Sequence, residues 1–368
     1  MRIRELGITI GSGTPGLYNA ITDVAGVRVG HHTLNVETAE ASIHTGVTVI
    51  EPRAGAAHLQ PCFAGVHVLN GNGDATGLEW IREAGLLTTP IAYTNTHSVG
   101  VVRDALVAAE REMGKKHTYW CMPVVLETYD GTLNDIWGQH VRPEHVQLAL
   151  LDARSGPVQE GNVGGGTGMI CHEFKGGIGT ASRRLSSAQG GWTVGAIVQA
   201  NHGIRNELRV DGYPVGRYME KADSPFLKAS LPCPGMGSIV ICLATDAPLL
   251  PHQCTRLAQR ASLGLARTGG GNEDHSGDIF IAFATGNSVP PAAYESKRAP
   301  TCDGLSMVNN DHISELFLAA TEAVEEAIIN ALLASDTAEG NGHAVPGLDA
   351  QTLLEALRRA GWSADSAV

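Results

Sequence analysis

The sequence predicts a layered α/β or α+β domain, and three observations support this prediction. β-Rich runs and amphipathic helical segments alternate irregularly along the 368 residues, which is typical of sheets covered by helices. Hydrophobic residues make up 43% of the chain and charged residues only 17%, so a large core can be buried. The 45 glycines follow no collagen-like period and therefore indicate many tight turns and close backbone contacts.

In the first half of the chain, the sequence predicts four strands and one helix. Short apolar runs indicate strands at residues 27–29, 46–50, 65–69 and 123–126. Residues 99–113 carry apolar side chains at helical spacing, so we expect a helix there. Turn-forming residues such as glycine and asparagine separate these segments.

The second half of the chain predicts three strands and three helices. Apolar runs place the strands at residues 193–200, 238–244 and 278–284. Helical spacing places the helices after Pro251, at residues 313–332 and near residues 349–360. A polar, proline-containing stretch at residues 209–237 has the composition of a surface linker.

Composition excludes some classes of function. The net charge of −12 argues against nucleic acid as a partner, because phosphate binding needs clustered lysine and arginine; it favours cationic ligands such as free amino groups. No run of 18 apolar residues and no secretory signal is present, so we expect no membrane partner.

The seven cysteines are scattered without a C-x-x-C pair, which predicts reduced thiols in the cytoplasm. The low charge content indicates a homo-oligomer, since roughly 25% is usual.

The Gly237–Ser238 dipeptide is a candidate self-cleavage site. A serine that becomes an amino terminus has an α-amine with a pKa of roughly 7.7–8.0, so this amine can act as the base for its own hydroxyl. Such a nucleophile needs no histidine, and no G-x-S-x-G nucleophile elbow is present in the chain. Gly237 leaves its carbonyl open to attack because it has no side chain, and Ser238 opens an apolar strand that would hold it rigidly.

The dipeptide alone is weak support for this interpretation. Gly-Ser is a common pair, and Gly11–Ser12 is a second copy in this chain. The simpler alternative is a turn that leads from a loop into a strand.

Eight segments together resemble a known enzyme family. They are GVRVGH (26–31), LNGNGD (69–74), TNTHSVG (94–100), ETYDG (127–131), GNVGGGTGM (161–169), QANHG (199–203), PGMGS (234–238) and SGDIF (276–280). In this order they resemble the self-processing L-aminopeptidase/D-esterases, which include the β-peptidyl aminopeptidases and are N-terminal-nucleophile hydrolases. The resemblance covers residues from about 3 to 330.

The resemblance implies a four-layer αββα sandwich and a chain that cuts itself before Ser238. The products would be residues 1–237 and 238–368, which together form one catalytic domain in a homo-oligomer, a tetramer of cleaved heterodimers. It also implies release of N-terminal residues from small peptides, amides or esters, with L-residues and, in some relatives, D- or β-residues. No cofactor and no metal are implied.

The resemblance implies catalytic roles for the residues at matching positions. Ser238 would be the nucleophile, and Asn201 would donate to the developing oxyanion, a contribution of about 2.7–4 kcal/mol per donor. Ser276 and Asp278 match a Ser-x-acid pair of the family, in which some relatives carry glutamate at the acidic position. Positions two apart in a strand face the same side, so Ser276 could link Asp278 to the Ser238 amine or hydroxyl. The alternatives are a turn asparagine, a loop serine and a solvated aspartate.

Glu127 and Tyr129 match two further family positions. A carboxylate at Glu127 suits the substrate's free ammonium, which would explain action at amino termini. Tyr129 could donate its hydroxyl to the tetrahedral intermediate. The alternative is that this stretch only turns through Asp130 and Gly131.

Parts of the sequence are also compatible with four other functions. An N-acyltransferase of the ornithine-acetyltransferase type shares the self-cleaving architecture, but it would use a threonine nucleophile. The glycine-rich segment at 161–169 lacks the lysine of a phosphate-binding P-loop. His172 and Glu173 begin an H-E-x-x-H pattern, but glycine occupies position 176, so we expect no metal dependence. An uncleaved relative without activity also fits the sequence.

Overall fold

The computed structural model describes residues 1–113, 120–220, 224–227, 237–288 and 304–363. The strands are β1 (Arg28–Glu37), β2 (Ser42–Glu51), β3 (Cys62–Gly71), β4 (Leu86–Leu87), β5 (Ile91–Asn95), β6 (Val124–Thr128), β7 (Ile170–Cys171), β8 (Phe174–Lys175), β9 (Gly177–Arg184), β10 (Thr193–Asn201), β11 (Ser238–Thr245), β12 (Gly277–Ala284), β13 (Ala338–Gly340) and β14 (His343–Val345). The α-helices are α1 (Leu78–Ala84), α2 (Val99–Met113), α3 (Pro143–Asp152), α4 (Pro251–Thr268), α5 (Ser314–Leu333) and α6 (Ala350–Arg359).

Two stacked sheets form the centre of the molecule. One has six strands in the order β4-β3-β12-β11-β10-β9, and the other has four in the order β1-β2-β5-β6. A core that includes Tyr93, Val240 and Ile281 fills the space between the sheets. Helices α4 and α5 cover the outer face of the larger sheet, while α2 and α3 cover the smaller sheet through Val102 and Val146. The expected four-layer αββα sandwich is therefore confirmed.

Strand β11 occupies the middle of the larger sheet. It pairs antiparallel with β10 and parallel with β12, and all eight of its residues are buried. The β-branched run that begins at Ile239 suits such a position, because these side chains pack well on a pleated surface. Ser238, its first residue, is aligned with Asn201 on one side and Gly277 on the other.

Most of the predicted elements agree with the structure, and one prediction is wrong. Residues 209–220 are not a surface linker, because Val210, Val215 and Met219 pack into the core beneath α4 and α5. Residues 221–223 and 228–236 of the same stretch lie outside the described residues. No described helix is long and apolar enough to cross a bilayer.

Candidate active site

Ser238 lies at the beginning of strand β11, between the two neighbouring strands of the larger sheet. Its side-chain Oγ accepts a hydrogen bond from the backbone N–H of Gly277 at 3.0 Å, and only 5% of the residue is exposed. The preceding Gly237 passes so close to strand β10 that an added Cβ would collide with the carbonyl oxygen of Asn201. Packing therefore requires glycine at this position. The lack of a side chain also leaves the carbonyl carbon of Gly237 accessible.

Asn201 is the last residue of β10, and two backbone groups fix its side chain. Its Oδ1 accepts from the N–H of Ile170 at 2.7 Å, and its Nδ2 donates to the carbonyl of Tyr129 at 2.9 Å. An amide nitrogen carries two hydrogens, and the described residues accept one of them. Asn201, Tyr129, Ile170 and Gly237 line the same small cavity.

Ser276 and Asp278 form a buried pair next to the start of β11. The Ser276 hydroxyl donates to Asp278 Oδ1 at 2.6 Å, while Asp278 Oδ2 is buried and has no hydrogen-bond partner among the described residues. Burial raises the pKa of Asp278 to about 6, although the Ser276 hydrogen bond opposes this shift. A β-bulge between Asp278 and Ile279 alters the strand at this point. The pair flanks Gly277, which donates the hydrogen bond to Ser238.

Glu127, near the end of β6, presents a buried carboxylate to the same region. Its Oε1 accepts from the N–H of Asp74 at 2.8 Å, and its Oε2 accepts from the Thr96 hydroxyl at 2.5 Å. A Cβ added at Gly73 would lie 3.1 Å from Glu127 Oε1 and 3.4 Å from Gly277 Cα, so the carboxylate and the start of β12 both lie close to Gly73. Burial raises the pKa of Glu127.

Tyr129 contributes to the site through its backbone as well as its ring. Its carbonyl binds the Asn201 amide, and its side chain, 41% exposed, lines the cavity and lies against Gly131. Burial and the neighbouring Asp130 raise the pKa of the phenol, so it remains a proton donor at neutral pH.

Sequence reasoning missed the residues that hold this segment in place. Asp130 is fully buried and accepts hydrogen bonds from Asn95 Nδ2 at 3.0 Å and Asn134 Nδ2 at 3.1 Å. Thr96, from the same TNTHSVG segment as Asn95, donates to Glu127. The segment was recognisable as a family motif, but its contacts with residues 127–130 depend on the parallel pairing of β5 with β6.

Among the described residues, one group has the side chains of a metal site. Cys171, His172 and His202 place one donor atom each within 4.8 Å of one another, and all three side chains are buried. His172, the first residue of the H-E-x-x-H pattern considered above, belongs to this group, whereas Glu173 does not.

Comparisons with known proteins agree with this geometry. The model of Peptidase family S58 matches residues 19–345. A solved β-aminopeptidase from Burkholderia sp. is 71% identical, with a TM-score of 0.94 over 99% of this chain and 100% of that chain. The L-aminopeptidase D-Ala-esterase/amidase of Ochrobactrum anthropi, a prototype for the serine aminopeptidases with a variant of the Ntn hydrolase fold, is 43% identical. Its TM-score is 0.89, and the match covers 98% of this chain and 99% of that chain.

A curated relative points in the same direction. The β-peptidyl aminopeptidase BapA of Sphingosinicella microcystinivorans is 44% identical over 375 residues, which span 97% of this chain and 93% of the relative. Together these findings support a hydrolase that acts as an N-terminal aminopeptidase, and they do not favour the acyltransferase alternative. This chain belongs to peptidase family S58.

Proposed function

We propose that the chain matures by cutting the Gly237–Ser238 bond and that the freed Ser238 then hydrolyses substrates with a free amino terminus. The position of Ser238 carries this proposal: a serine begins the central buried strand, follows a glycine that packing requires, and lies opposite the Asn201 amide. The expected fragments, 1–237 and 238–368, contain 237 and 131 residues.

In the cleavage step, Ser238 Oγ attacks the carbonyl carbon of Gly237. The C–N bond breaks as the ester C–O bond forms, and the serine proton passes to the nitrogen. Water then hydrolyses the ester, which leaves a carboxylate on Gly237 and an α-amine on Ser238. Asn201 lies next to Gly237 and supports this step, since its spare N–H can stabilise the negative oxygen.

In the catalytic cycle, the α-amine of Ser238 takes the hydroxyl proton as Oγ attacks the substrate carbonyl. The tetrahedral oxyanion is stabilised by the Asn201 amide and by the Tyr129 hydroxyl. Collapse expels the leaving amine or alcohol with the proton and leaves an acyl-enzyme on Ser238. Water releases the acid and restores the hydroxyl.

Ser276 and Asp278 are proposed to orient the new amine. Cleavage creates a cationic group close to a buried carboxylate whose Oδ2 is unpaired among the described residues. An ammonium there would stabilise the ionised form of Asp278, which burial alone disfavours. The Ser276 hydroxyl already donates to Asp278, so its oxygen can accept from the amine.

Glu127 is proposed to select substrates with a free amino group. The ionised carboxylate would bind the substrate ammonium by a charge-assisted hydrogen bond. The β-peptidyl and D-Ala specificities that the relatives' names carry support small β- or D-configured residues as substrates beside L-residues. The five described cysteines are all free, which supports the cytoplasmic location expected from the sequence.

Replacement of the nucleophile tests the proposal. Ser238→Ala removes the attacking oxygen, so we expect one uncut chain and hydrolysis of an aminoacyl p-nitroanilide reduced to background. Ser12→Ala, at the other Gly-Ser pair, should leave two bands on a denaturing gel and full activity. N-terminal sequencing of the smaller wild-type band should begin Ser238-Ile239-Val240. Cleavage or activity retained in Ser238→Ala would refute the assignment.

A further inference from the structure

Three metal-ligand side chains meet in the interior beside the cavity, and the aminopeptidase reaction uses none of them. Cys171 ends β7, His172 follows in the turn to β8, and His202 follows the last residue of β10. Their exposed fractions are 0%, 0% and 2%. A donor atom of each lies within 4.8 Å of the others.

Each of the two histidines has one ring nitrogen without a hydrogen-bond partner among the described residues. The Nε2 atoms of His172 and His202 are buried and unpaired, which is costly for polar groups in an interior. His172 Nδ1 lies 3.0 Å from the carbonyl oxygen of Ile204 and can only donate to it, which leaves the lone pair on Nε2. A carbonyl that binds the far nitrogen is the usual support of a metal-bound histidine.

The distances fit a borderline-soft cation. Cys171 Sγ lies 3.8 Å from His202 Nδ1, close to the edge of about 3.6 Å that tetrahedral Zn–S and Zn–N bonds produce.

The charged groups around the three side chains can compensate the charge of a bound cation. The Cys171 thiol must release its proton on binding, and the carboxylate of Glu273 lies near it. Glu273 Oε1 is itself buried without a partner among the described residues, and its charge would balance the complex. Lys175 is a buried cation near the same group. Its Nζ donates to two backbone carbonyls at 2.8 and 3.2 Å, and burial lowers its pKa to about 7.

We propose that Cys171, His172 and His202 bind one divalent cation of the Zn²⁺ class, with water as a fourth ligand, and that its binding slows the peptidase. Access runs through the cavity that His202 and Asn201 line together. Because His202 follows Asn201, and Cys171 follows Ile170, whose N–H holds the Asn201 side chain, a bound cation displaces the Asn201 amide. This effect on rate rests on the proposed function, whereas the binding does not.

Cobalt spectroscopy tests the binding without reference to activity. Chelator-treated full-length protein is titrated with Co²⁺, and thiolate-to-cobalt charge-transfer absorption should saturate at one equivalent. Cys171→Ala should abolish this band, and His172→Asn should weaken binding at least tenfold. Asparagine suits this position because residue 172 has a φ of 48°. Cys254→Ala, a fully buried cysteine on α4, is the matched control and should retain the band.

The rate is measured on the same proteins with and without Zn²⁺. One equivalent should lower kcat in the wild type and in Cys254→Ala, and leave Cys171→Ala unaffected. Absence of stoichiometric cobalt binding in the wild type, or an unchanged band in Cys171→Ala, overturns the site. Stoichiometric binding with an unchanged rate overturns the link to catalysis and leaves the role of Ser238 untouched.

Discussion

At the residue scale, the site contains two buried carboxylates that differ in their partners. Both oxygens of Glu127 accept hydrogen bonds, whereas Asp278 leaves Oδ2 unpaired among the described residues. Burial raises the pKa of both groups. Under the proposed function, the first carboxylate would bind a cation from the substrate, and the second would bind the cation that self-cleavage creates.

Replacement of Glu127 by glutamine should separate substrate binding from chemistry. The amide keeps an acceptor for Asp74 and Thr96 but loses the charge that would bind an ammonium. We expect KM for free-amine substrates to rise about 10- to 100-fold, because a charged hydrogen bond contributes about 1.5–3 kcal/mol. Steady-state kinetics would check this, with Glu79→Gln, on an 87% exposed side chain, as the control. An unchanged KM would contradict the ammonium role.

Asp278 should destabilise the uncleaved precursor at neutral pH. The folded pKa is about 6 against an ordinary 3.8, so between these values the folded state holds a proton that the unfolded state has lost. Stability therefore falls as pH rises from about 4 to 6, and the full cost, of order 3 kcal/mol, persists above pH 6. Below pH 4 both states are protonated and the cost disappears.

Thermal melts in the uncleaved Ser238→Ala background measure this effect. Asp278→Asn should raise Tm at pH 8 and change it little at pH 4. Asp274→Asn, on a 97% exposed side chain, should change Tm little at either pH. An equal gain from Asp278→Asn at both pH values would show that its charge is not responsible.

At the element scale, a buried ion cluster fastens α5 to β9. Arg183 on β9 contacts Glu322 at 3.1 Å and Glu326 at 2.7 Å, both on α5, and these side chains are at most 3% exposed. The helix can approach closely because β9 carries Gly179, where a Cβ would collide with the carbonyl oxygen of Ala327. The six-stranded sheet that holds β11 is thereby covered on its outer face.

Removal of the arginine should be costly because it takes a shared cation from two buried carboxylates. We expect Arg183→Met to lower the free energy of unfolding by about 3–5 kcal/mol. Arg184→Met, at the exposed neighbouring position, should stay within about 0.5 kcal/mol of the parent. Urea denaturation of both variants in the Ser238→Ala background gives the comparison, and similar losses would contradict the assignment.

At the scale of the whole molecule, cleavage before β11 should not separate the two fragments. Strand β11 would belong to the smaller fragment, but it pairs along its length with β10 of the larger one. The six-stranded sheet combines strands of both fragments, and the cores on its two faces contain side chains from both, so the fragments share one core. We expect them to co-elute in native gel filtration and to part only in denaturant.

Light scattering on the same column tests the expected tetramer of cleaved heterodimers. Leu17, Trp137 and Leu151 are more than 80% exposed, which is costly for large apolar side chains unless another surface covers them. A mass of four cleaved chains would agree with the proposal, whereas a single heterodimer at micromolar concentration would contradict it.

The sequence by itself determined most of the secondary structure and the class of reaction. Uniform apolar runs predicted β11 and β12, and helical spacing predicted α2, α4 and α5, because periodicity reports which face of an element is buried. Strand β9 escaped this reasoning, since Thr180, Ser182 and Arg183 are buried there and donate hydrogen bonds to other elements. Ordered motifs identified the candidate residues, but not their contacts.

Only the tertiary structure decided how those residues meet. Strand pairing aligns Ser238 with Asn201 and Gly277, which lie 37 and 39 positions away in the chain, and the fold brings Glu127 to the same region. Contacts over such separations arise from register and layer packing, which a one-dimensional pattern does not encode. For the same reason, the group around Cys171 and His202 became visible only in the folded chain.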